Sequence, residues 1–203
     1  MMPTVLAFDQ KDVDGALDRA LEIGQTIIFP TDTVYGIGGN PWDTRTLDRV
    51  RLLKERPADQ PFTLHLPTIE SIASFADVGP RRRRVVERFL PGPYTLLLPA
   101  ISSSPPSAVL DGRIGIRVPD HPFFQGALAR LGRPLFGTSV NRHGDPPLGD
   151  IIEIIDRFSA VDLIFTGPVG RQPSVILDLT EDTVRIVRGE VPENVRRFLD
   201  LTS

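Results

Sequence analysis

Apolar residues recur along this chain with two alternating periods. Val13, Ala16, Leu17, Ala20 and Leu21 fall on one face at helical spacing, and Gly24 follows as a stop signal. The apolar run at 26–29 reads as a buried strand. Asp43 or Thr44 can cap a second helix, with Leu47, Val50 and Leu53 on its buried face and Lys54 and Arg56 at its end, before Pro57. The same periods predict strands at 62–66, 94–98, 114–118, 135–138, 163–166, 175–179 and 184–187. They predict helices at 69–75, 82–90, 122–131, 151–158 and 192–201. Pro91-Gly92-Pro93 is a turn, and the Ser- and Pro-rich stretch 101–111 reads as a mobile surface loop, with 102–106 as a candidate lid.

Strands alternate with helices early, while the last strands follow one another through short turns. That pattern specifies an α/β chain: one domain over 1–203, with a twisted mixed parallel/antiparallel sheet and flanking helices. The absence of a repeat or a linker supports one unit.

Composition narrows the chemistry. The chain has 203 residues, 40% hydrophobic and 24% charged, and no cysteine. Disulfides, thiolate zinc sites and a Cys nucleophile are excluded. No apolar run is long enough to span a bilayer, and the first residues lack the basic and apolar regions of a signal peptide, so a cytoplasmic protein is expected. A net charge of −3 argues against a surface coated by nucleic acid. Of 23 basic residues only Lys11 and Lys54 are lysine. Lys54 beside Arg56 therefore pairs a compact ammonium with a planar fork, two different tools for phosphate.

The stretch Pro30-Thr31-Asp32-Thr33-Val34-Tyr35-Gly36-Ile37-Gly38-Gly39-Asn40 follows the strand at 26–29. Pro30 ends the ladder, the glycines let backbone approach a ligand, and the polar side chains stand at a strand's end, where open α/β sheets bind ligands. The phosphate-loop motif is missing, Pro41 stands where a dinucleotide fingerprint needs its third glycine, and there is no nucleophile elbow. His65, His121 and His143 lack metal-ligand spacing. Other polar clusters end other strands: Lys54-Glu55-Arg56, then His65; Thr138-Ser139-Val140-Asn141; Ser174; and Arg188-Gly189. Arg113 and Arg117 leave the same face of one strand, since they alternate with Ile114 and Ile116. Lys54, Arg56, Arg113, Arg117 and Arg188 could thus converge on one concave, positively charged cavity suited to a polyanion or a carboxylate.

Six motifs then occur in order: Pro30-Thr31-Asp32-Thr33-Val34-Tyr35-Gly36, Lys54-x-Arg56-Pro57, Pro91-Gly92-Pro93-Tyr94-Thr95, Arg117-Val118-Pro119-x-His121-Pro122, Ser139-x-Asn141 and Arg188-Gly189. Together they resemble the YrdC-like family of L-threonylcarbamoyladenylate synthases over about residues 12–190, in a short form without an appended C-terminal domain. The resemblance implies a reaction of ATP, with Mg²⁺, L-threonine and bicarbonate that gives threonylcarbamoyl-AMP and pyrophosphate. Other tRNA-modification proteins then carry the group to adenosine 37 of tRNA. It implies that Lys54, Arg56, Ser139 and Asn141 are catalytic and hold ATP together with Arg188 and, more weakly, Arg113. Thr33, His65, Arg117 and Ser174 would hold threonine, with no protein-bound metal and no membrane partner, in a monomer or weak dimer.

Departures leave a second class open. Gln60 stands where relatives often carry Asn or Lys, and Pro147 where some carry Ser. The runs at 60–64 and 175–180 are also similar to the YciO-type paralogues. A module that binds nucleotide or RNA without turnover is the other alternative. For that module Arg81-Arg82-Arg83-Arg84 is the candidate tRNA contact, although such a run is ordinarily a solvated helix face.

Overall fold

The computed structural model describes residues 2–57 and 59–202. In chain order the elements are β1 (Thr4–Ala7), α1 (Val13–Glu22), β2 (Ile27–Phe29), β3 (Gly36–Gly39), α2 (Thr44–Lys54) and β4 (Thr63–His65). A 3₁₀ turn (Glu70–Ser74), α3 (Pro80–Phe89), β5 (Tyr94–Pro99), a 3₁₀ turn (Pro106–Ala108), β6 (Val109–Leu110) and β7 (Arg113–Arg117) follow. A π-helical turn (Phe124–Leu128) runs into α4 (Ala129–Leu131), then come β8 (Leu135–Ser139), α5 (Ile151–Arg157), β9 (Leu163–Thr166), β10 (Val175–Asp178), β11 (Arg185–Arg188) and α6 (Glu193–Thr202).

Among the described residues the strands form one sheet in the order β1-β9-β2-β3-β8-β4-β7-β5-β10-β11, with β6 paired to β7. Parallel pairs (β1–β9, β2–β9, β4–β7, β5–β10) mix with antiparallel ones (β2–β3, β3–β8, β4–β8, β5–β7, β10–β11), as the element pattern predicts.

Helices cover both faces of one half of the sheet. In β2, Ile27 and Phe29 join α1 and the π-helical turn in one apolar cluster, while Ile28 joins α2 and α5 in another. A strand buried on both sides reads as a continuous apolar run, which is why 26–29 shows no alternation. The other half is covered on one face only. There Leu96, Leu98, Ile114 and Ile116 pack with α3 and Leu199 of α6.

Three readings need correction. Gly36–Gly39 is a strand rather than a loop, paired with β2 and β8, and of its glycines Gly36 lines the cavity described below. A Cβ on Gly38 would lie 1.8 Å from the Phe136 carbonyl oxygen, so glycine is what lets these strands close up, at the cost of the apolar signature that marks a strand. The stretch at 69–75 forms a 3₁₀ turn, where Ser71 Oγ bonds back to Thr68 O at 2.7 Å in competition with a regular helix. The serine-rich stretch 101–111 is fastened. Ser103 Oγ donates to Ser74 O (2.7 Å), Ser104 Oγ to Phe75 O (2.5 Å) and Ser107 Oγ to Pro41 O (2.9 Å). Those bonds hold residues 102–106 down and argue against a lid.

Candidate functional site

Strand alternation makes the site. Ile114 and Ile116 of β7 enter the core, so Gly115 and Arg117 turn to the opposite, uncovered face. A cavity of about 540 Å³ opens there. Its depth comes from missing side chains: Gly115 and Gly137 both line it, and a Cβ on Gly137 would lie 2.8 Å from the Phe29 ring and 3.0 Å from His65.

One part of the cavity is organised by Arg117, which is buried. Its Nη2 donates to Asp32 Oδ1 and its Nη1 to Thr33 Oγ1 at 2.6 Å. The hydroxyl directions follow. Thr31 Oγ1 gives its proton to Val34 O at 2.7 Å, so across the 3.0 Å contact Thr33 must donate to Thr31. Thr33 therefore accepts from Arg117 and passes its own proton along the loop. Burial lowers the Arg117 pKa, while the charge and hydrogen bond of Asp32 raise it. Arg117 Nε and Asp32 Oδ2 are buried without a hydrogen-bond partner among the described residues.

His65 lies beside this pair. Its Nδ1 sits 3.3 Å from Thr63 O, and a carbonyl can only accept, so Nδ1 carries the proton and Nε2 is left as an acceptor. Burial, then the Arg117 charge, pulls its pKa down to about 3. The ring is neutral at any working pH.

A second part of the cavity is cationic. Arg188 donates through Nε and Nη2 to Ser174 O (3.2 and 2.9 Å) and through Nη2 to Ser174 Oγ (3.1 Å). Ser174 Oγ in turn meets Thr95 Oγ1 at 2.8 Å. Arg56 donates to Pro61 O at 2.8 Å and lies over the Phe62 ring, 5.3 Å from its centroid. Burial lowers the pKa of both arginines, and the Arg51 charge adds to the effect at Arg56. Among the described residues neither has a carboxylate partner.

The structure thus brings Thr33, His65, Arg117, Ser174, Arg188, Arg56, Ser139 and Asn141 to one wall-to-wall cavity. Lys54 and Arg113 do not line it. Arg113 shares the face of Arg117, but four residues along the strand it reaches Asp178 at 3.4 Å, which also holds Arg185 at 3.0 Å. Its candidacy as a nucleotide ligand has no support in that placement. Lys54 is buried behind the wall, donating to Ser139 O, to Asn141 O at 2.7 Å and to Asn141 Oδ1 at 3.2 Å. Burial and the Arg56 charge draw its pKa down to about 7, against three oxygens that favour the ammonium.

Sequence reasoning gave no separate role to Asp32, Thr95, Gly115 or Gly137. Asp32 could have been found as a carboxylate in a polar strand end facing an arginine. The glycines carried the usual sign of close approach, glycine within a strand pattern. Of the four-arginine run, Arg81 and Arg82 brace α3 to the segment between β10 and β11 through Glu181 O (3.0 Å) and Leu179 O (2.9 Å), and Arg82 also pairs with Asp77 (2.8 Å) just before the helix, while Arg83 and Arg84 are exposed.

A family described as telomere recombination, Sua5_yciO_yrdC, matches residues 19–189. The chain belongs to the Sua5/YciO/YrdC family. Within it, the chain is 32% identical over 191 residues to a protein of Escherichia coli (strain K12) named YciO and described as uncharacterized, covering 90% of this chain and 92% of that one. It is 34% identical over 175 residues to a threonylcarbamoyl-AMP synthase of Stutzerimonas stutzeri, covering 82% and 92%. The crystal structure of Pyrococcus abyssi Sua5 complexed with L-threonine superposes with a TM-score of 0.83 at 26% identity, over 98% of this chain and 60% of that one. Family membership agrees with what the motifs implied, and the mixed sheet with the order of elements along the chain.

Proposed function

We propose that this chain joins L-threonine, bicarbonate and Mg²⁺-bound ATP into threonylcarbamoyl-AMP, with release of pyrophosphate, for modification of tRNA position 37. The observation that carries the reading is the division of one cavity into two chemistries. Around Arg117 stand hydroxyls, a neutral imidazole and a guanidinium, the groups that recognise an amino acid with a side-chain hydroxyl. Arg56 and Arg188 add two cations that, among the described residues, have no carboxylate partner, and these suit a triphosphate. The P. abyssi relative complexed with L-threonine and the relatives named threonylcarbamoyl-AMP synthase support the same substrates.

In this reading the amine of threonine adds to bicarbonate and loses water to give a carbamate. A carbamate oxygen then attacks the α-phosphorus of ATP and pyrophosphate leaves. The residues act by position: Arg117 orients the carboxylate, His65 Nε2 and Thr33 Oγ1 offer acceptors, and Arg56 and Arg188 oppose the growing charge on the departing phosphates. Water is kept from the carbamate by the depth that Gly115 and Gly137 create.

The test is pyrophosphate release by the purified chain with Mg²⁺-ATP, bicarbonate and each of L-threonine, L-serine and L-valine. Release that needs both threonine and bicarbonate supports the reading; release indifferent to threonine sinks it. The relation to YciO favours a second reading, in which the same cavity serves another carboxylate substrate. Threonine-independent release together with tight ATP binding would select it.

A further inference from the structure

Lys54 and Asn141 form one saturated hydrogen-bond unit. An ammonium has three N–H donors, and those of Lys54 go to Ser139 O, Asn141 O and Asn141 Oδ1. Asn141 has two N–H donors, and both are used: Nδ2 donates to Arg142 O at 2.7 Å and to Asp145 O at 3.0 Å. Its Oδ1 accepts from Lys54 and, at 2.5 Å, from Ser139 Oγ. The backbone carbonyl of Lys54 also accepts from the His143 amide at 2.8 Å. Every polar group of these two side chains is thus committed to the segment 139–145, which supplies Ser139, Asn141 and Asp145 to the cavity wall.

The fork between Lys54 and Arg56 has a local cause. Helix α2 ends at Glu55, which takes φ 53° and ψ 36°. Lys54 continues the buried helix face of Leu47 and Val50 and is 2% exposed, while the left-handed Glu55 turns the chain so that Arg56 reaches the cavity wall. The two cations of the Lys54-x-Arg56 motif therefore do different work.

We propose that Lys54 is a positioning residue that fixes the 139–145 rim from behind, with Asn141 as its hub, and that the cation offered to the nucleotide is Arg56. The proposal rests on the reading of the cavity as an ATP site for Arg56 alone. The role of Lys54 in the rim stands whatever ligand the cavity takes. Since Ser139 gives its proton to Asn141, it faces the cavity with lone pairs only, and it would accept from a ligand rather than donate to a phosphate oxygen.

Amide hydrogen exchange on the whole chain decides the first part without any ligand. Lys54→Met and Asn141→Ala should each speed exchange at Val140 and His143 by roughly 10- to 100-fold, the loss of charge-assisted bonds, with the amides of β2 and β7 unchanged. Unchanged exchange at Val140 and His143 in Asn141→Ala overturns the proposal, and that variant is decisive by itself if Lys54→Met fails to fold. Calorimetry with Mg²⁺-ATP decides the second part. The double variant Lys54→Met/Asn141→Ala should bind no more weakly than the worse single variant, whereas Lys54→Met/Arg56→Met should lose the product of both single losses. Additive losses for Lys54 and Asn141 make Lys54 a direct ligand and overturn the assignment. A wild-type chain that binds no ATP defeats the proposed function and leaves the exchange result standing.

Discussion

Arg117 and Asp32 stand 85 positions apart in the chain and meet as a buried ion pair beside the cavity. The guanidinium lies on the last residue of β7, and the carboxylate lies in the loop between β2 and β3. Those strands are not neighbours; β8 and β4 stand between them. The pair therefore ties the rim loop across two strands and sets the direction in which Arg117 faces the cavity.

Removal of one partner leaves the other charge buried and alone. Asp32→Ala should cost about 3 kcal/mol of stability, as for broken buried pairs generally. Asp32→Ala combined with Arg117→Met should recover part of that loss, because no charge is then stranded. Urea denaturation of the two variants checks this, and a double variant weaker than Asp32→Ala would refute it.

His65 makes acid stability predictable in sign. Its pKa is about 3 in the folded chain against 6.5 unfolded. Below pH 6.5 the unfolded chain takes up a proton that the folded chain refuses until about pH 3. Stability therefore falls as pH drops through that window, by at most about 1.4 kcal/mol per unit from this group. Above pH 6.5 the group contributes no slope. His65→Gln should flatten the difference in stability between pH 6.5 and 4.5 by about 2 kcal/mol. Denaturation midpoints of both proteins at the two pH values give the comparison, and equal slopes would contradict it.

Gly38 is held by the closeness of the strands rather than by an unusual φ. An added Cβ would meet a backbone oxygen at 1.8 Å, and no side chain can move aside to admit it. Gly38→Ala should lose about 3 kcal/mol or more. Gly15→Ala, in α1, where an added Cβ meets nothing within 4 Å, should instead gain up to about 1 kcal/mol. Thermal melts that rank the two variants in the opposite order would be decisive against this explanation of Gly38.

The left-handed Glu55 offers a test of the turn that separates Lys54 from Arg56. Glu55→Val and Glu55→Gly both lose the exposed contact with Arg142 at 3.2 Å. Only the valine is forced into a conformation that β-branched residues avoid, so it should be less stable than the glycine variant by about 1–2 kcal/mol. Equal stabilities would mean that the turn re-forms with another geometry.

Much of the site could be read from residue order. Thr33, Arg117, Ser174 and Arg188 stand at or beside strand ends, and they share a cavity because side chains alternate across a sheet whose other face is covered. Arg113 shows where that logic stops. Periodicity places it on the face of Arg117, yet it cannot say that Asp178, on a strand reached about 60 residues later, supplies its partner.

Local period, turn chemistry and motif order were enough for most of the elements, the mixed α/β class, the family and the set of polar strand ends; they left out the short edge strand β1 and the strand at 36–39. Which of those polar groups line the cavity and which turn into protein depends on packing. The glycine-rich stretch 36–39 became a strand because two partners lie against it. Lys54 became a buried strut because it ends the buried face of α2, which points it at three oxygens from the 139–141 segment. Hydrogen-bond capacity is filled by whatever packing brings near, and packing depends on strand order, which local periodicity does not carry.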